Sequence, residues 1–362
     1  MGIRYDRDTF RATNGPLIFF SDPSSKEAFA REVRGALISG LSFYSYRMPQ
    51  DLMISFGSSE GIVEGIDMPG FVISPFDPNS PVVTIPYKGG KNLVSNSKIY
   101  SMPERSTTRE EYTSEVNEII SDLKDYDRRK VVAARVELRE DHIEIAEIFF
   151  DFMQRFPEAM IFCFSTPVTG CWIGASPELL LEGHGRQLKT MALAGTRPVG
   201  SLNPWDEKNI EEQRIVSDYI IELFKKNDLN PIVEKAFTKP SGNIEHICTP
   251  IKGDINNSIN FNLESLLKEL SPTPALCGYP KDFALNEIKR LEKFPRGYYG
   301  GFCGPYHSNE DFIFHVVLRC ASVQEKKYCI YVGGGITAQS DAESEWKETE
   351  AKALNIFPKD NQ

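Results

Sequence analysis

From Lys130 to Arg139 the chain reads KVVAARVELR, and apolar residues recur at every second position. That period marks a strand with one face turned to a core. Val132, Ala134, Val136 and Leu138 form the apolar set, and Lys130 shares their parity. Three further strand-like runs follow in AMIFCFSTP, CWIGASP and ELLLEGHGRQLKTMALAG. The tight GHGR between two apolar runs predicts a hairpin. FIFHVVLRCASV and KKYCIYVGGGIT read as another strand pair near the C-terminus.

Other stretches carry the helical period. Thr107 to Asp127 places Ile119, Ile120 and Leu123 on one side. Helices are also predicted over Asp206 to Lys226, Asn262 to Leu270, Lys281 to Lys293, and Asp341 to Leu354. The stretch from Asp67 to Lys98 is rich in Pro, Gly, Ser and Asn. It predicts irregular loops around short strands such as PVVTIP. Long strands in hairpin order, with helices grouped between them, predict an α+β fold of antiparallel sheets flanked by helices.

Some charged residues interrupt these patterns. Lys130 is either a strand-end lysine that reaches water or an amine held against an apolar wall, where desolvation favours a general base. Glu212 continues the face of Val216, Tyr219, Ile220 and Leu223. Near a helix N-terminus the dipole and water can satisfy such a carboxylate; otherwise it reaches an internal metal site. Glu178 sits at a turn in GASPELLLEG, and alone it reads as a plain turn carboxylate. On the last helix Glu345, Glu348 and Lys352 share one side, at spacings of three and four. Trp346, Ala353, Leu354 and Phe357 form the apolar stripe opposite. This helix alone reads as a solvated face with a Glu348–Lys352 pair.

Composition narrows the picture. The 362 residues are 41% hydrophobic and 25% charged, enough for a large core in one domain or two. A net charge of −10 argues against a nucleic-acid partner, and an anionic ligand would need a local cationic pocket or a metal. The seven cysteines form no CxxC, which fits reduced thiols and a cytoplasmic protein. No run approaches a membrane span, and the charged MGIRYDRDTF has no secretory apolar region. No glycine-rich nucleotide motif is present.

Taken in order, KVVAAR, WIGASPELLL, LAGTRP, DEKNIEEQRIV, HICTPIKGDI, SPTPALCGYPKDFAL, RGYYGGFCG, VVLRCA and YVGGGITAQSDAESEWKETEAK resemble the chorismate-utilising enzymes. These include isochorismate and salicylate synthases and the large subunits of anthranilate and aminodeoxychorismate synthases. The resemblance implies a single large domain over residues 1–362. The motifs lie in 106–358, and residues 1–105 match less clearly. Aminating members carry glutamine where this chain has Lys130. The Pro-Ala pair of SPTPALCG looks like the isochorismate synthase form. Ala194 stands where aminodeoxychorismate synthases carry a nucleophilic lysine. Salicylate synthase and an inactive chorismate-binding module are the alternatives. Two positions depart from the family: Gln213 and Ser271 each replace a usual histidine.

The resemblance further implies chorismate as the small-molecule partner, with Lys130 as base and Glu178 as acid. Mg²⁺ would be held by Glu212 and Glu348, with Glu345 in support. Gly195, Thr196, His246, Tyr299, Arg319, Gly333, Gly335 and Lys352 would contact substrate. It also implies an inward-facing acidic side on the last helix, and a monomer or weak homo-oligomer. The product would feed menaquinone or siderophore synthesis.

Overall fold

Two antiparallel sheets stack face to face in the computed structural model, which describes residues 17–19, 25–89, 99–124, 129–141, 143–255 and 261–358. The nine-stranded sheet runs in the order Leu17–Phe19, Met53–Ser59, Ser42–Arg47, Met160–Thr166, Gly170–Ser176, Cys320–Gln324, Lys327–Ile336, Lys130–Arg139, Gly278–Tyr279. At the centre of the ten-stranded sheet lie Ile244–Asp254, Gln187–Pro198, Leu179–His184, Asp311–Val316, Phe302–Ser308 and Gly70–Ser74. Phe237–Ser241 adds to it as an outer partner of Ile244–Asp254. The α+β architecture with antiparallel sheets is the one the sequence predicts. No helix among the described residues is long and apolar enough to cross a membrane.

The sheets bury a shared core. Phe162, Phe164, Trp172 and Tyr331 of one meet Leu181, Met191, Leu193, Phe312 and Phe314 of the other. Each such side chain contributes roughly 1.5–3 kcal/mol on removal from water. The first sheet's other face is also covered. Ile161, Cys163 and Ile173 pack under the helices Ser25–Ile38 and Ile145–Arg155. Arg109–Leu123 and Lys281–Leu291 close a third cluster over Val131, Ala133 and Ile336.

Burial on both faces overturns the one-sided reading of KVVAARVELR. Every residue from Lys130 to Val136 is buried, including the odd-parity Arg135. Arg135 donates to Thr349 Oγ1 at 2.7 Å and lies over the Trp346 ring. The Asp67 to Lys98 region is also more regular than its composition suggests. Gly70–Ser74 and Val83–Pro86 are fully buried strands of the second sheet, because their apolar side chains outweigh the flanking turn formers; residues 90–98 lie outside the described residues.

The helices keep the expected places and end at local signals. Thr108 caps Arg109–Leu123 through a reciprocal pair with Glu111, so that helix is shorter than predicted, and residues 125–128 lie outside the described residues. Asp206 caps Glu207–Lys226, and Asp341 caps Ala342–Ile356. On this last helix Leu354 does not belong to the apolar stripe. It is 46% exposed, while Ala353, Ile356 and Phe357 face the core. The predicted hairpin forms between Leu179–His184 and Gln187–Pro198, with Gly185 in the left-handed conformation that GHGR anticipates.

Candidate active site

At the seam between the sheets lies a cleft of about 800 Å³, including its open mouth. Glu178, Gly195, Thr196, Glu212, His246, Tyr299, Arg319, Gly333, Gly335, Glu348 and Lys352 line it. Two predicted site residues stand one layer back. Lys130 lies beneath Gly335, and Glu345 beneath Gly334.

Lys130 opens its strand and is wholly buried. Its Nζ pairs with Glu212 Oε1 at 2.7 Å, an ion contact without hydrogen-bond geometry. The absence of a side chain at Gly335 makes this possible, since a Cβ there would collide with Glu212 Oε1 and Lys130 Cε. The Gly335 backbone is not left-handed, so alanine is tolerated conformationally. Gly335→Ala is therefore expected to retain the native circular dichroism spectrum while separating Lys130 from Glu212. Any activity that depends on the Lys130–Glu212 contact should then fall on the order of 100-fold, as expected for an ångström-scale misplacement.

Glu178 occupies the corner between the strands Gly170–Ser176 and Leu179–His184. Its side chain is buried, and Thr273 Oγ1 donates to Oε1 at 3.3 Å. Burial pushes the carboxyl up to about 8, against the opposing pull of Thr273, Lys130 and Lys239. Such a group still holds its proton at neutral pH.

The opposite wall is cationic. Arg319 is buried with a left-handed backbone. One of its nitrogens lies 2.6 Å from His246 Nε2, and another donates to Ser241 O at 3.2 Å and to Ser241 Oγ. His246 Nδ1 lies 2.6 Å from Gly195 O. That carbonyl can only accept, so Nδ1 carries the proton and Nε2 accepts from Arg319. Burial, with Arg319 adding to it, holds the imidazole down at about 3, which keeps it neutral. His246 thus orients Arg319 with one nitrogen and the Gly195 turn with the other. Gly195 is left-handed, and the next amide, of Thr196, donates to Asn209 at 3.0 Å.

Each predicted carboxylate ligand carries a lysine: Glu212 has Lys130, Glu345 has Lys208 at 2.6 Å, and Glu348 has Lys352 at 2.7 Å. Lys352 also donates to Gly333 O at 2.8 Å. Burial alone would raise the Glu348 carboxyl, but Lys352, with Lys208 and Lys130 behind it, holds it below the usual range. Glu345 Oε2 is buried without a partner. Among the described residues, no three acidic, histidine or cysteine side chains converge on one point as a ready metal cage. The acidic side of the last helix nevertheless faces inward, with Glu345 buried and Glu348 half-buried.

The departures from the family have visible consequences. Gln213 points away from the cleft and donates to Thr249 Oγ1 at 2.6 Å. Ser271 is buried, and its carbonyl accepts from Lys281. Lys208, Thr273 and Ser241 escaped the sequence reading. Only Lys208 left a signal there, four residues before Glu212 on the same helix face.

Fold and cleft together define a two-sheet protein with a deep, charge-lined site for a small molecule. The chain belongs to the chorismate binding enzyme family, whose model matches residues 88–357. It is 32% identical to isochorismate synthase EntC of Escherichia coli K12 over 204 residues, covering 52% of this chain and 51% of that one. The chain thus spans about half the length of that relative. Isochorismate synthase MenF of Pasteurella multocida is 26% identical, over 97% of this chain and 85% of its own. The solved structure of the menaquinone-specific isochorismate synthase MenF from Escherichia coli shares the fold. Its TM-score is 0.72 at 20% identity, and the match covers 88% of each chain.

Proposed function

We propose that the protein is an isochorismate synthase, converting chorismate to isochorismate by adding water at C2 and releasing the C4 hydroxyl. One observation carries this reading: a wholly buried Lys130 beside a cleft that also holds a carboxyl able to keep its proton, Glu178. Lys130, in its uncharged amine form, takes a proton from the attacking water as the new C2–O bond forms. The ring double bonds shift, the C4–O bond breaks, and Glu178 protonates the departing hydroxide. One water enters and one leaves, so the sum is an isomerisation.

The remaining residues bind. Arg319 grips a substrate carboxylate with donors fixed by His246 and Ser241. The Gly333 and Gly335 backbone allows close approach, and Tyr299, Thr196 and Lys352 complete the wall. Mg²⁺ fits the hard oxygen donors here, and the unpartnered Glu345 Oε2 supports that fit. Glu212 and Glu348 would hold it, with Glu345 in support, and bound Mg²⁺ would neutralise the ring carboxylate. All seven cysteines are free thiols, which suits a reducing cytoplasm. Isochorismate would then feed menaquinone or siderophore synthesis.

Chromatography of purified protein with chorismate and Mg²⁺ tests the activity, with isochorismate expected. Fluorescent salicylate as the main product would overturn the reading. EDTA should abolish turnover and Mg²⁺ should restore it, with a matching rise in melting temperature on Mg²⁺ addition. Full activity in EDTA would remove the metal assignment.

A further inference from the structure

Behind Glu178 a lysine arrives from the strand Phe237–Ser241, whose sequence FTKPS looks like a surface strand. Phe237 and Thr238 are exposed on it, yet Lys239 turns inward. Lys239 Nζ donates to the Pro177 carbonyl at 2.6 Å and lies 3.7 Å from Met191 Sδ. Pro177 immediately precedes Glu178 in the corner that joins two strands. The same outer strand supplies Ser241, which holds Arg319. One short strand therefore reaches both functional walls of the cleft.

We propose that Lys239 is a positioning residue for Glu178: it pins the Pro177 carbonyl and thereby fixes the corner, and its charge sets how readily the buried carboxyl releases its proton. The inference rests on Glu178 acting as the acid. Other charged or titratable groups face this corner from every side. Lys130 and Tyr299 interact with Glu178 directly. Cys248, Glu158 and Arg319 interact with Lys239, and so do His246 and His315, which burial keeps neutral. Of these, Lys130 and Lys239 are the two lysines whose positive charge favours the ionised form of Glu178. Lys130 is paired with Glu212, whereas Lys239 donates directly into the acid's own corner.

The sign of the effect follows. A general acid works only while protonated, so activity declines as pH rises through the Glu178 pKa. Removing the Lys239 charge favours the protonated form and carries that decline to higher pH. Two variants of the full chain separate charge from geometry. Lys239→Gln keeps a donor for Pro177 O, whereas Lys239→Met keeps neither donor nor charge. Both should move the alkaline limb of the kcat profile upward, by roughly half a unit or more. Lys239→Met should also lower kcat on the order of tenfold, more than Lys239→Gln, with the smaller effect in KM. An infrared difference titration of each against its Glu178→Gln counterpart reads the same carboxyl without turnover. An unmoved alkaline limb and carboxyl titration in both variants would overturn the proposal. Wild-type protein that makes no isochorismate would instead overturn the activity, and the infrared titration would still decide the role of Lys239.

Discussion

Lys130→Ala should lower kcat by about 10³-fold while chorismate still binds, because general base catalysis contributes on the order of 10²–10⁴. The variant deletes an amine that is wholly buried and touches Glu212 at 2.7 Å. It leaves Arg319, Tyr299 and the glycine backbone of the cleft in place. Calorimetric titration with chorismate and Mg²⁺ should therefore give an affinity near that of wild type. Lys130→Met fills the same volume without a basic nitrogen and should fail equally, which removes collapse of the pocket as an explanation. Unchanged turnover in either variant would end the case for Lys130 as base.

The second large effect belongs to Arg319, and it should appear in binding. Arg319→Ala removes a buried guanidinium whose nitrogens reach His246 and Ser241. A charge-assisted contact to a carboxylate is worth roughly 2–5 kcal/mol when one partner is cut away. KM should therefore rise about 100-fold or more, well beyond any change in kcat. Lysine at this position cannot restore the planar fork, so Arg319→Lys should recover little. Equal losses in KM for Arg319→Ala and for a substitution on the far surface would show that the arginine serves only the fold.

The last helix shows how local spacing was read and where it failed. Spacings of three and four put Glu345, Glu348 and Lys352 on one side, and they do share the side that faces the cleft. The same counting put Leu354 in the apolar stripe, but the helix rests on Ala353 and Ile356 instead. Amphipathic counting assumes one buried face. Here both the acidic side and an apolar side are covered, so polarity alone does not tell which residues are inside. The strand Lys130–Arg139 failed its parity test for the same reason, since the sheet is buried on both faces.

The partners of these residues were out of reach. Nothing in FTKPS marks Lys239 as an inward lysine, because its target, the Pro177 carbonyl, lies in a corner between two strands distant in the chain. The His246–Arg319 contact joins residues 73 positions apart, and each alone reads as a generic polar strand residue.

By itself, the sequence determined the antiparallel α+β class, the places of the helices, and the family. These follow from short-range periodicity and motif order, both properties of neighbouring residues. Tertiary structure alone decided which lysine serves which glutamate, which imidazole nitrogen holds the proton, and how high the Glu178 carboxyl is driven. Those quantities depend on desolvation and on contacts between distant strands, and neither exists until the two sheets close on one another.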